Sequence, residues 1–162
     1  PEEERDLTRP PAKPDDSRPI EVIVDSRGRL PNLLHIFRRS EHVKDVLVLV
    51  SDRTPEEYLD YLEEREYPFI RCGSDHVDLR AALEILRRKY GVSTVVSDSG
   101  SLLSGVLIRE KIAGELSLLV VPVLAGTRQK KLFDSIESPV NLSLVRSEHL
   151  EGDIVHLIYS IG

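Results

Sequence analysis

The sequence predicts an α/β domain built on a mixed sheet, parallel strands first and an antiparallel edge last, with helices flanking it. Three observations lead there. Continuous branched apolar runs, such as VLVLV at 46–50, are of the kind buried on both faces of a parallel sheet. Between 20 and 112 such runs alternate with amphipathic segments of helical period. After about residue 115 strand patterns stand alone, and the last two are joined at Gly152.

Taken in order, residues 1–19 are rich in proline and charge and almost free of apolar side chains, so they read as an extended arm ahead of a domain spanning 20–162. IEVIVD at 20–25 is a buried strand that ends in the turn SRGRLP. NLLHIFRR at 32–39 reads as a short helix, and 46–50 as the second strand. The next helix is expected to start with Thr54 as cap, Pro55 in its first position and Glu57 closing a capping box. Tyr58, Leu59 and Leu62 share its apolar face. PFIRC at 68–72 is the third strand.

Asp78 then caps a helix with Leu79, Ala82, Leu83, Leu86 and Tyr90 on one face, and Gly91 closes it in the left-handed conformation. VSTVVS at 92–97 is expected to be the fourth strand. A helix over about 102–112 follows, with Leu103, Val106, Leu107 and Ile112 inward. ELSLLVVPVLAG at 115–126 is a long strand, and 140–150 with 153–161 form a hairpin.

Bulk properties narrow the function classes. The chain has 162 residues, enough for one domain with a core. A net charge of −6 and the lack of long basic blocks argue against a nucleic-acid surface. The strongest apolar run is interrupted by Pro122 and is too short for a membrane span, which needs about 20 residues. The single Cys72 excludes an internal disulfide and suits a reducing compartment, so a cytoplasmic location is expected. The chain opens at Pro1 and contains no Met, from which a longer parent protein is expected.

Two turns carry candidate chemistry. In TVVSDSGSLLSGVLI at 94–108, Asp98, Ser99, Gly100 and Ser101 lie between a strand end and a helix start. That arrangement turns backbone N–H groups toward an anion, with Gly100 allowing close approach. The same residue types also make an ordinary capped turn. In DSRGR at 25–29, Ser26 can donate to a phosphate, and Arg27 or Arg29 can grip one through two N–H groups. A solvated polar turn is the alternative. The five histidines and one cysteine have no metal-ligand spacing, so no metal is expected. There is neither a Gly-x-Ser-x-Gly elbow nor a P-loop.

Three segments in order, RPIEVIVDSRGRLP, RCGSDHVDL and VSTVVSDSGSLLSGVLIREKIAGELSLLVVPVLAG, resemble the reductase domain of riboflavin biosynthesis. That domain forms the C-terminus of RibD-type proteins and the stand-alone archaeal and fungal pyrimidine reductases. The resemblance runs from about Arg18 to the chain end and implies a dihydrofolate-reductase-like fold, NADPH as cofactor and a homodimer. It implies reduction of a phosphorylated ribosylaminopyrimidine to its ribitylamino product, a small-molecule substrate with no nucleic acid or membrane partner.

Residue by residue, the resemblance implies that Ser26 and Arg27 contact NADPH, toward the adenosine 2′-phosphate. It implies that Gly100, Ser101, Leu102, Leu103 and Ser104 line the cofactor diphosphate and that Asp98 contacts substrate. The sequence departs from the family at several points. Asp98 replaces a Glu, Ser99 a Gly, and Ser101 a Gly or Pro. Ser at a position of positive φ would carry strain. Ala113-Gly114-Glu115 stands where the family has Val-Asp-Glu. The family's first strand and helix, with an Asp-Gly-Lys motif, are expected ahead of this segment.

Overall fold

A computed structural model describes residues 16–126, 130–134 and 136–162. The arm expected at 1–19 lies outside this range except for its last four residues. The chain divides into two compact units, one ending at Ser93 and one beginning at Thr94.

The first unit is a parallel sheet of β1 (Ile20–Val24), β2 (Asp45–Val50) and β3 (Phe69–Arg71), in the order β1-β2-β3. All six residues of the central β2 are buried. Alternation along β2 sends successive side chains to opposite faces. Val46, Val48 and Val50 pack with Leu34, Tyr58, Leu59, Leu62 and Tyr67. Leu47 and Leu49 pack on the other face with Ile70, Val77, Ala82 and Leu86. Leu34 comes from α1 (Leu34–Arg38), Tyr58, Leu59 and Leu62 from α2 (Glu56–Glu64), and Ala82 and Leu86 from α3 (Leu79–Tyr90), while Ile70 lies in β3 and Tyr67 and Val77 in the connecting loops. Each fully buried Leu or Val contributes about 1.5–3 kcal/mol, so this two-faced core is the main source of stability.

α3 starts and stops where its sequence says. Asp78 accepts the Ala81 N–H at 3.0 Å, and Gly91 closes the helix at φ 68°. α2 differs from expectation. It begins at Glu56, after Pro55, with no side-chain cap. The Thr54 hydroxyl instead accepts the N–H of buried Ser51 and donates to the Ser26 carbonyl, both at 3.0 Å. A buried N–H without a partner is costly, so the hydroxyl serves the loop in preference to the helix end.

The second unit contains α4 (Ser101–Arg109) and an antiparallel sheet of β4 (Glu115–Val120), β5 (Leu142–Leu150) and β6 (Ile154–Ile161), in the order β4-β6-β5. Gly152 and Asp153 turn the hairpin at φ 74° and 58°. A register shift between Leu144 and Arg146 marks a bulge in β5. α4 begins one residue earlier and ends sooner than expected, with Ile108 its buried apolar residue.

Two strand expectations are corrected. Residues 92–97 form no strand, and Val95 and Val96 are exposed. Branched residues favour extended backbone, but a strand exists only where neighbours take its N–H and C=O groups, and no described strand pairs with this segment. β4 ends at Val120 instead of reaching 126, since its register with β6 ends there and Pro122 can donate no ladder bond. Among the described residues the parallel and antiparallel strands fall in two sheets, not in one continuous mixed sheet. Among those residues no helix is long and apolar enough to cross a membrane.

Candidate functional site

In the first unit three loops leave the carboxyl ends of β1, β2 and β3, where open α/β sheets take their ligands. The β1 loop is organised by Asp25, a buried carboxylate. Its Oδ2 accepts the N–H groups of Arg29 and Leu30 at 2.7 and 3.1 Å. Gly28 sits at φ 61° over the Tyr58 ring, and a Cβ there would fall 2.8 Å from Tyr58 Cγ. Burial, then the neighbouring Asp25 carboxylate, push the Tyr58 hydroxyl well above the ordinary phenol range, so it stays neutral.

Ser26 is held at the junction of all three loops. Its Oγ accepts the Val77 N–H at 3.1 Å, from beyond β3. Its carbonyl accepts from Thr54, beyond β2. The Ser26 O–H has no acceptor among the described residues and remains available to donate. Ser51, fully buried, anchors the third loop by donating to the Asp75 carbonyl at 3.2 Å.

Arg27 lies 3.5 Å from Asp75 Oδ1. Arg53 approaches the same oxygen at 3.1 Å, and His76 Nε2 lies 3.2 Å from Asp75 Oδ2. Each of the three loops thus contributes one nitrogen group to the same carboxylate. These groups are half-exposed or more, so each pair adds at most about 1 kcal/mol to stability. The sequence reading missed Asp25, Arg53, Asp75 and His76. A signal existed, because SDR follows β2 directly and GSDH follows β3 within a few residues. Arg29, the alternative anion ligand in the turn, donates its backbone N–H to Asp25.

Cys72, at the end of β3, points its Sγ toward the Asp78 carbonyl at 3.5 Å. Burial, reinforced by the Asp78 carboxylate, raises its thiol above the usual value. Its alkylation by iodoacetamide at pH 8 is therefore expected to be several-fold slower than that of glutathione, because less thiolate is present. An equal rate would contradict the half-buried placement of the thiol.

The second unit carries the other predicted turn. Gly100 precedes α4 at φ −65° and ψ 169°, and nothing lies within 4 Å of where its Cβ would be. The approach to the helix N-terminus is open on that side. Among the described residues no side-chain oxygen caps the first N–H groups, and no acidic residue lies in the first turn. Ser99 and Ser101 are outside the positive-φ region, so the strain expected from serine at these positions does not arise. Ser99 instead joins a hydroxyl chain, 2.7 Å from Ser97 Oγ and 3.2 Å from Ser104 Oγ. Ser104 also donates to the Ser99 carbonyl at 3.0 Å.

Ser101 donates to Asp134 Oδ2 at 2.7 Å, and its carbonyl accepts the Asp134 N–H at 3.1 Å. Gly105, one turn on, is required because a Cβ would overlap the Asp134 carbonyl. Asp98 and Leu102 are exposed, and Leu103 is half-buried. Ser26 and Arg27 belong to the first unit, and Asp98 and Gly100–Ser104 to the second. Among the described residues no group of three or more His, Cys, Asp or Glu side chains is placed to hold a metal ion.

The parallel sheet and the polar loops at its carboxyl ends define an α/β protein of the kind that binds its ligands at those ends. The RibD C-terminal domain profile matches residues 2–156, and the chain belongs to that family. It is 26% identical to a riboflavin biosynthesis protein RibD from Chlamydia pneumoniae, over 90% of this chain and 39% of that protein. It is 32% identical to a 2,5-diamino-6-ribosylamino-4(3H)-pyrimidinone 5′-phosphate reductase from Archaeoglobus fulgidus, over 68% of this chain and 48% of that protein. The chain therefore spans less than half the length of these relatives.

Among solved structures, a RibD from Acinetobacter baumannii superposes with a TM-score of 0.67 at 22% identity, over 87% of this chain and 37% of that one. A pyrimidine reductase-like protein from Corynebacterium diphtheriae gives 0.61 at 15% identity, over 72% and 50%. The fold is the dihydrofolate-reductase-like α/β fold expected from the sequence.

Proposed function

We propose that this chain is an NADPH-dependent reductase domain of riboflavin biosynthesis, converting the ribosylamino side chain of a pyrimidine 5′-phosphate to ribitylamino. Membership of the RibD C-terminal domain family over residues 2–156 carries this reading. The matching relatives from Archaeoglobus fulgidus and Aquifex aeolicus are both named for a pyrimidinone 5′-phosphate reductase.

The residues fit the cofactor. The Ser26 O–H, which has no acceptor among the described residues, and the neighbouring Arg27 are a pair suited to the 2′-phosphate of the adenosine end. The open space at Gly100 and the uncapped N-terminus of α4 suit a diphosphate. Backbone N–H groups over Gly100–Ser104 would donate to it, so the identities of Leu102, Leu103 and Ser104 matter less than their backbone. Ser101 would take part through its N–H, since its hydroxyl is engaged by Asp134. The Asp98 carboxylate, exposed just ahead of the turn, would accept hydrogen bonds from sugar hydroxyls of the substrate. When bound, NADPH supplies the hydride that reduces C1 of that sugar. The homodimer implied by the resemblance is supported by exposed apolar side chains on β4 and β5, including Leu119, Leu144 and Val145.

The test is a fluorescence titration with NADPH, followed by NADPH oxidation in the presence of the ribosylaminopyrimidine 5′-phosphate. Binding and turnover are expected. Failure to bind at millimolar NADPH would overturn the reading, leaving a non-catalytic nucleotide-binding or dimerisation domain. Binding without turnover on this substrate, but with turnover on another carbonyl, imine or pteridine, would transfer the activity to a different substrate class.

A further inference from the structure

The strand-end loops of the first unit hold an anion of their own. We infer that Asp75 is a specificity-determining residue for the phosphate of the cofactor, with Arg53 and His76 joining Arg27 as the groups that grip that phosphate. The inference rests on the proposed NADPH site. Arg27 follows β1, Arg53 follows β2 and His76 follows β3, yet all three meet one carboxylate at 3.5, 3.1 and 3.2 Å. Two guanidinium groups and an imidazole around two carboxylate oxygens form a donor set that suits a phosphomonoester equally well.

Asp75 is the resident anion of that set. Its backbone is pinned by Ser51, while its carboxylate is half-exposed. A ribose 2′-hydroxyl could donate to such a carboxylate, as acidic residues do in NAD-binding sites. A 2′-phosphate, carrying nearly two negative charges, is repelled by it and competes for its cations. Asp75 therefore narrows the preference for NADPH over NADH, and the three nitrogen groups restore it.

The experiment compares Kd values of NADPH, NADH and 2′,5′-ADP for wild type, Asp75→Asn, Asp75→Ser and Arg53→Ala. Removing the charge at position 75 should tighten NADPH and 2′,5′-ADP by about fivefold or more, the effect of one like charge about 4 Å away in water. NADH should be unchanged or weaker. Arg53→Ala should weaken NADPH and 2′,5′-ADP by about tenfold and spare NADH. Circular dichroism melting identifies any variant that has lost its fold, and the two substitutions at 75 must then agree. Equal shifts for NADPH and NADH, or weaker NADPH in both Asp75 variants, would overturn the assignment of Asp75. No binding of NADPH or 2′,5′-ADP by the wild type would instead remove the cofactor reading itself.

Discussion

Gly73→Ala is expected to lower the stability of the protein by about 2–4 kcal/mol and to abolish the ordered approach of Asp75, His76 and Val77 to the β1 loop. Two effects add. Gly73 stands at φ 87°, where a side chain costs about 1 kcal/mol or more. Its Cβ would also overlap the His76 carbonyl and come within 2.5 Å of Asp78 N, both backbone atoms that cannot turn away. Overpacking of this kind costs about 1–3 kcal/mol. Gly91→Ala is the control, since Gly91 has φ 68° but nothing within 4 Å of its Cβ position. Urea denaturation should show Gly91→Ala losing about 1 kcal/mol, for strain alone. Equal losses in the two variants would mean that the β3 loop yields freely, and that the packing described around Ser26 is loose.

Arg27→Ala is expected to weaken NADPH binding by about tenfold or more and to change NADH affinity by less than about twofold. A hydrogen bond to a charged partner contributes about 1.5–3 kcal/mol, and about 1.4 kcal/mol corresponds to a factor of ten. The side chain is half-exposed, which places the effect toward the lower end. Stability should be almost unaffected, because the ion pair lost with Asp75 is a solvated one. Arg27 is a cleaner probe than Ser26. Replacing Ser26 with Ala would remove the acceptor of the Val77 N–H as well as the donor offered to a phosphate, so stability and binding would fall together. If Arg27→Ala weakened both cofactors equally, the 2′-phosphate would lie elsewhere.

Much of the local structure was legible because its causes are local. Asp78, the spacing of Leu79, Ala82 and Leu86, and Gly91 describe α3 within fifteen residues of chain. VLVLV at 46–50 reads as a doubly buried strand because every residue of the run is branched apolar, and the structure buries all five and starts the strand one residue earlier, at Asp45. Ser26 and Arg27 were visible as the polar turn that follows such a strand. The hairpin of β5 and β6 was marked by Gly152.

The misses have a shared cause. The strand expected at 92–97 has the right residues, but strand pairing is a property of two chains of atoms, and no described strand lies against it. Thr54 has the sequence of a helix cap, yet the nearest unsatisfied donor is the N–H of Ser51. Ser99 and Ser101 look strained only if their φ is assumed positive, and the backbone takes another path. What the sequence alone determined about this protein is the kind and order of its elements, the strand expected at 92–97 excepted, and the family to which the chain belongs, since propensity, periodicity and motif act over neighbouring residues. Only the tertiary structure decided that Arg27, Arg53 and His76, spread over 50 positions of chain, meet at the carboxylate of Asp75. That meeting follows from the register of three parallel strands, which brings their carboxyl ends together and which no local stretch of sequence encodes.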